Sequence, residues 1–206
     1  MTTPAKTVCT PMMNAVWRPA SPIEVLDWLS PLPVPWWIAG GWALDLFLEQ
    51  VTRPHGDIDV GIFRRDAPGV CATLSEWEFF EARAGALTRL NPGAAPRAAV
   101  NSLWCRCRGE SEWALELMLD EGDDDHWTFR RDQKIGRALP IAIRRSPEGV
   151  PYLAPEIQLL YKSKTVRPQD RIDFDRVIDR LDQDARAWLR SSIERLDPSH
   201  AWLAKL

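Results

Sequence analysis

Two aspartates one residue apart, Asp57 and Asp59, lie in the run Asp57-Ile58-Asp59-Val60-Gly61-Ile62, which alternates with a period of two. The alternation predicts a strand, and residues i and i+2 of a strand point to the same face. The two carboxylates therefore project together while Ile58, Val60 and Ile62 enter the core. Like charges held about 7 Å apart at their Cα atoms repel unless a cation lies between them. Carboxylate oxygens are the hard ligands that Mg²⁺ prefers, so the pair suits metal-ion chemistry, although a strand facing water would carry the same pattern. A further carboxylate, Glu116, interrupts the apolar run from Trp113 to Leu119. Burying it there is costly unless it is paired or metal-bound, and the other reading is an outward-facing position on an edge strand. Asp120 has the same strand parity and competes for the same place.

Upstream of the acidic pair, the apolar run Trp36-Trp37-Ile38-Ala39 ends in Gly40-Gly41, and a helix opens at Trp42. Glycines let backbone N–H groups approach an anion closely, and a helix N-terminus adds positive potential. One helix before an acidic strand, such a turn has a joint purpose. It grips the outer phosphates of a nucleotide while the carboxylates hold the metals that bridge them. Arg53 and His55, in Thr52-Arg53-Pro54-His55-Gly56, stand where basic groups meet phosphate oxygens. Lys162 and Lys164 are placed to reach a triphosphate from the opposite wall, or else are solvated helix charges.

The elements that must position these residues follow from periodicity. Residues 1–20 read as an irregular lead. Ser21-Pro22-Ile23-Glu24 reads as a helix start, with Ser as N-cap, Pro at the first helical position and Glu three residues after the cap. The prolines at 31, 33 and 35 end that helix. Strands are expected at 36–39, 57–62, 77–82, 98–107, 113–119, 127–130 and 141–144, with helices at 42–49 and 68–76. Beyond Pro151 the apolar spacing turns helical, which divides the chain into a domain over 1–150 and a helical one over 151–206.

Composition sets the outer limits. With 206 residues, 45% hydrophobic and 27% charged, the chain can bury a sizeable core. The longest uncharged stretch contains three prolines and a Gly-Gly pair, so it cannot form a spanning helix. The N-terminus lacks the continuous apolar segment of a secretory signal, and four cysteines without regular spacing suggest no disulfide framework. A cytoplasmic setting is the default. A net charge of −3 weakens the case for tight nonspecific nucleic-acid binding. Eleven tryptophans offer core anchors, or walls that stack on a sugar or base.

The motif G-G-W-A-L-D at 40–45 followed by T-R-P-H-G-D-I-D at 52–59 resembles the antibiotic nucleotidyltransferases, those of aminoglycosides and of lincosamides. The close likeness covers residues 36–62, with a looser one over 113–120. The resemblance implies an α+β fold: a mixed β-sheet flanked by helices, then a C-terminal helical domain, with the active cleft between them. It implies two Mg²⁺ ions on Asp57 and Asp59, a triphosphate held by Gly40 and Gly41 beside Trp42, and a phosphate contact for Arg53. The third carboxylate of these enzymes is usually Asp, so Glu116 departs from the pattern. The implied reaction moves a nucleoside monophosphate, AMP from ATP, to a hydroxyl of a small acceptor. Two alternatives are a toxin-like enzyme modifying tRNA or protein, and a non-catalytic nucleotide-binding module.

Overall fold

The structure, a computed structural model, describes residues 9–11, 15–18 and 20–206. The elements run β1 (Cys9–Pro11), α1 (Pro22–Leu29), β2 (Trp36–Ile38), α2 (Gly40–Leu48), β3 (Asp59–Phe63) and α3 (Ala67–Thr73). Next come β4 (Trp77–Arg83), β5 (Ala86–Arg89), β6 (Ser102–Cys107), β7 (Leu115–Gly122), β8 (His126–Thr128) and β9 (Gly136–Ala138). The chain ends with α4 (Leu139–Ala142), β10 (Ile143–Arg145), β11 (Pro151–Leu153), α5 (Pro155–Ser163), α6 (Pro168–Val177) and α7 (Gln183–Leu196). The expected helix start at Ser21 is a complete capping box: the Glu24 amide donates to the Ser21 hydroxyl at 3.3 Å, and the Ser21 amide donates to the Glu24 carboxylate at 2.9 Å.

The chain forms two compact units, one of residues 1–36 and 55–121, the other of 37–54 and 122–206. The boundary expected near residue 150 falls inside the second unit. Of the lead expected to be irregular, residues 1–8, 12–14 and 19 lie outside the described residues. Its described part includes a strand, since β1 pairs antiparallel with β5.

The first unit is a sheet in the order β1-β5-β4-β6-β7-β3, antiparallel except for the parallel pair β3 and β7. One face is aliphatic: Ile58, Val60, Ile62, Leu103, Leu115, Leu117 and Leu119 are all buried. The other face carries aromatic rings. Trp17 meets Trp104 edge-on at 4.8 Å, and Trp104 and Phe80 meet Trp113 at 5.5 and 5.2 Å. The segment bearing Trp17 is held by backbone bonds between Val16 and Trp113 and between Arg18 and Trp113. Part of the tryptophan excess thus packs against itself.

In the second unit β2 runs parallel to β11, β10 is antiparallel to β11, and β8 and β9 form a hairpin. Its core includes Trp37, Trp127, Phe129 and Phe174, the last stacked on Trp202 with ring centroids 4.2 Å apart. A buried ion cluster ties β9, β10, α5 and α7. Glu156 is fully buried and accepts from Arg137 Nε at 3.1 Å and Nη2 at 2.9 Å, while Arg144 lies 3.5 Å from its other oxygen. Among the described residues no helix is long and apolar enough to cross a membrane.

Candidate active site

The acidic strand is shorter than its alternation suggests. Asp59 opens β3, whereas Asp57 precedes it and is exposed. Parallel pairing with β7 sets Asp59 directly opposite Glu116, and antiparallel pairing sets Glu116 opposite Trp104 and Trp104 opposite Phe80. Residues directly opposite on adjacent strands share a face about 4.8 Å apart, so Asp59, Glu116, Trp104 and Phe80 form one row across four strands. The same register places Asp120 opposite Phe63, four residues and about 13 Å further along β7, and buries it. Of the two carboxylates left open by strand parity, Glu116 is the one beside the acidic pair.

The surroundings of Glu116 are apolar on one side and acidic on the other. Burial pushes its carboxyl above the usual carboxylate range and the Asp57 charge adds to that. Hydrogen bonds from the Ser102 hydroxyl and the Trp104 indole pull the other way. Among the described residues no three His, Cys, Asp or Glu side chains make a ready metal cage. Mg²⁺ rarely uses one: it takes one or two carboxylates and fills its octahedron with water and substrate phosphate oxygens. Hard oxygen donors, and a half-buried carboxyl whose ionisation is opposed by a neighbouring anion, fit such an ion.

Of the residues expected to hold phosphates, Gly40, Gly41, Trp42, Arg53, Lys162 and Lys164 belong to the second unit and His55 to the first. Gly40 takes φ +65°, a left-handed conformation that lets β2 turn sharply into α2. Ala39 at the cap has no side chain to satisfy the first amides, although the Gly40 N–H donates to Gln158 Oε1 at 2.9 Å. Trp42 lies in the first turn of α2. Asp45, whose role the sequence did not disclose, is buried and accepts from the Thr52 amide at 3.1 Å and hydroxyl at 2.6 Å. It pins the loop that carries Arg53. The Arg53 guanidinium lies 3.7 Å from Asp173, and Lys164 is exposed.

Lys162 is not a free phosphate hook. It is buried, with Nζ 2.8 Å from Asp170 and 3.0 Å from Asp173, which joins α5 to α6. Burial of Asp170 raises its pKa, but hydrogen bonds from Arg167 and Lys162 prevail and bring it to about 2. A folded-state value below the unfolded 3.8 means stability that is present above pH 4 and lost as pH falls toward 2. An acid titration of unfolding should show about 2 kcal/mol of this loss vanish in Asp170→Asn. The acidic run at 120–125 ends in an exposed turn, where Asp123 accepts from the amides of Asp125 and His126 at 2.9 and 2.7 Å.

Comparison with known proteins bears on the fold and the family. No curated protein matches the chain in sequence. Among solved structures, the lincosamide antibiotic adenylyltransferase LnuA, lincomycin-bound, is similar with a TM-score of 0.52 at 17% identity, over 76% of this chain and 93% of that one. ANT(2'')-Ia in complex with adenylyl-2''-tobramycin is similar with a TM-score of 0.51 at 17% identity, over 84% and 95%. At such identity these likenesses show the α+β fold. The family model described as aminoglycoside-2''-adenylyltransferase matches residues 23–177, spanning the glycine turn, the acidic row and the α5–α6 ion pair. The chain belongs to the aminoglycoside-2''-adenylyltransferase family and is by that membership a nucleotidyltransferase.

Proposed function

We propose that the protein transfers AMP from ATP to a hydroxyl of a small acceptor of the aminoglycoside or lincosamide kind. The observation that carries this reading is the row formed by Asp59 and Glu116, with Asp57 close enough to act on Glu116, in a chain of this family. The acceptor class is supported by the lincomycin and adenylyl-tobramycin bound in the two similar structures.

Asp57 and Asp59 would hold two Mg²⁺ ions, with Glu116 on one of them; when bound, they supply Lewis-acid polarisation and neutralise the pyrophosphate. The residues of this chain do the rest. Gly40, Gly41 and Trp42 present the opening of α2 to the triphosphate, and Arg53 and Lys164 add positive charge. The acceptor oxygen attacks the α-phosphorus, its proton passes to Glu116, and the bond to pyrophosphate breaks. Burial and the Asp57 charge raise the Glu116 carboxyl without metal, whereas divalent ions beside it would lower its pKa and favour its ligand role over that of a strong base. Free thiols at Cys71, Cys105 and Cys107 suit a cytoplasmic setting.

The test is to incubate the protein with Mg²⁺ and each α-labelled NTP against aminoglycosides, lincosamides and tRNA. Label on a drug, strongest from ATP, is the expected result. Label on tRNA, or none with any acceptor, contradicts the small-acceptor reading.

A further inference from the structure

Arg130 and Arg131 occupy the centre of the turn between β8 and β9, which is closed by the Asp132 amide donating to the Phe129 carbonyl at 3.1 Å. Both guanidiniums lie 5.4 Å from the centroid of one ring, Tyr161 on α5, and Arg131 also lies 5.7 Å from Phe129. Tyr161 is itself fixed by Phe129 at 5.0 Å and Trp127 at 6.0 Å. Two cations are thus held side by side on a rigid aromatic base. Among the described residues neither has a carboxylate partner. The nearest acid in sequence, Asp132, is committed to Arg195 Nε at 2.6 Å and to the Lys134 amide at 3.0 Å. Arg131 has one hydrogen bond, to the Tyr161 carbonyl at 3.4 Å, which caps the end of α5; Arg130 has none among the described residues.

Elsewhere in this unit the buried or half-buried arginines meet acids, as Arg137 and Arg144 meet Glu156 and Arg53 meets Asp173. Arg130, half-buried and without an acid, is the exception, and Arg131 beside it is exposed. Arg131 is exposed, yet partial burial of its guanidinium and the Arg130 charge still oppose its charge, which a bound anion would relieve. Guanidiniums stacked on a ring keep their N–H edges for planar, bidentate recognition, the geometry that matches phosphate.

We propose that Arg130 and Arg131, seated on Tyr161, form a phosphate-binding site that takes the polyphosphate tail of the nucleotide. Its assignment to the nucleotide rests on the nucleotidyl-transfer reading; the anion site does not. A polycationic acceptor such as an aminoglycoside would be repelled from it, which keeps acceptor and phosphate tail apart.

Inorganic tripolyphosphate is the probe, titrated calorimetrically into the full-length protein at 50 and 200 mM salt. The wild type should bind it, more weakly at the higher salt. Arg130→Gln/Arg131→Gln should bind roughly tenfold or more weakly and with a flatter salt dependence. In the same variant the ATP KM should rise by a comparable factor while kcat changes little, a split that loss of a helix cap would not produce. Arg130→Gln alone keeps the Arg131 cap and, should the double variant unfold, must still weaken binding by about threefold. A folded double variant, or Arg130→Gln in its stead, that binds tripolyphosphate like wild type overturns the proposal. Asp59→Asn should bind tripolyphosphate normally; full transfer activity in that variant would sink the enzyme mechanism and leave the anion site standing.

Discussion

Asp59→Asn is expected to abolish metal-dependent transfer, by at least about a thousandfold in kcat, while leaving the melting temperature within a few degrees of wild type. Asp59 is half-buried at the start of β3, and its backbone pairing with β7 is unaffected by the change from carboxylate to amide. What the change removes is a negative charge and a hard ligand beside Glu116. Asn keeps the shape, so lost turnover cannot be attributed to lost packing. Steady-state kinetics at saturating ATP and Mg²⁺, with a thermal melt on the same sample, checks both halves. The same loss is expected for Asp57→Asn, and a smaller one for Glu116→Gln, which keeps the hydrogen-bonding shape facing Ser102 and Trp104.

The second large effect is on stability. Glu156→Ala should destabilise the fold by about 3–5 kcal/mol, because it leaves the Arg137 guanidinium buried with only the exposed Asp184 to meet it. For a chain of this size that corresponds to a fall in melting temperature on the order of 10 °C. The exposed pair Lys205–Asp175 supplies the control: its N···O distance of 2.6 Å is short, yet Lys205→Ala should cost less than about 1 kcal/mol. Equal costs at the two positions would mean that burial does not govern these ion pairs. Denaturant unfolding of the three proteins measures it.

The parts of the fold that were legible in the sequence are those where local chemistry and tertiary packing agree. The capping box at Ser21, the glycine turn after Ile38 and the alternation through Val60 and Ile62 each specify their element locally. β5, β9 and β11 were not legible, since three or four residues give no period to read and their pairing partners are distant in sequence. Parity alone left Glu116 and Asp120 equivalent; the register with β3 separates them by four residues. Charged residues were the hardest to place. Lys162 and Glu156 have the helical context of surface charges and are buried, because their partners come from elements eight or more residues away. Arg130 ends the strand expected at 127–130 and Arg131 follows it, and nothing in the local sequence sets Tyr161 beneath them.

The central claim is that carboxylates of β3 and β7 hold divalent cations for the transfer of a nucleotide. Electron paramagnetic resonance of Mn²⁺, titrated into the protein with a non-hydrolysable ATP analogue, tests it most directly. Tight Mn²⁺ binding in the wild type, absent from Asp57→Asn and Asp59→Asn and weakened in Glu116→Gln, is the predicted result. Mn²⁺ binding of equal stoichiometry and affinity in all four proteins would contradict the claim.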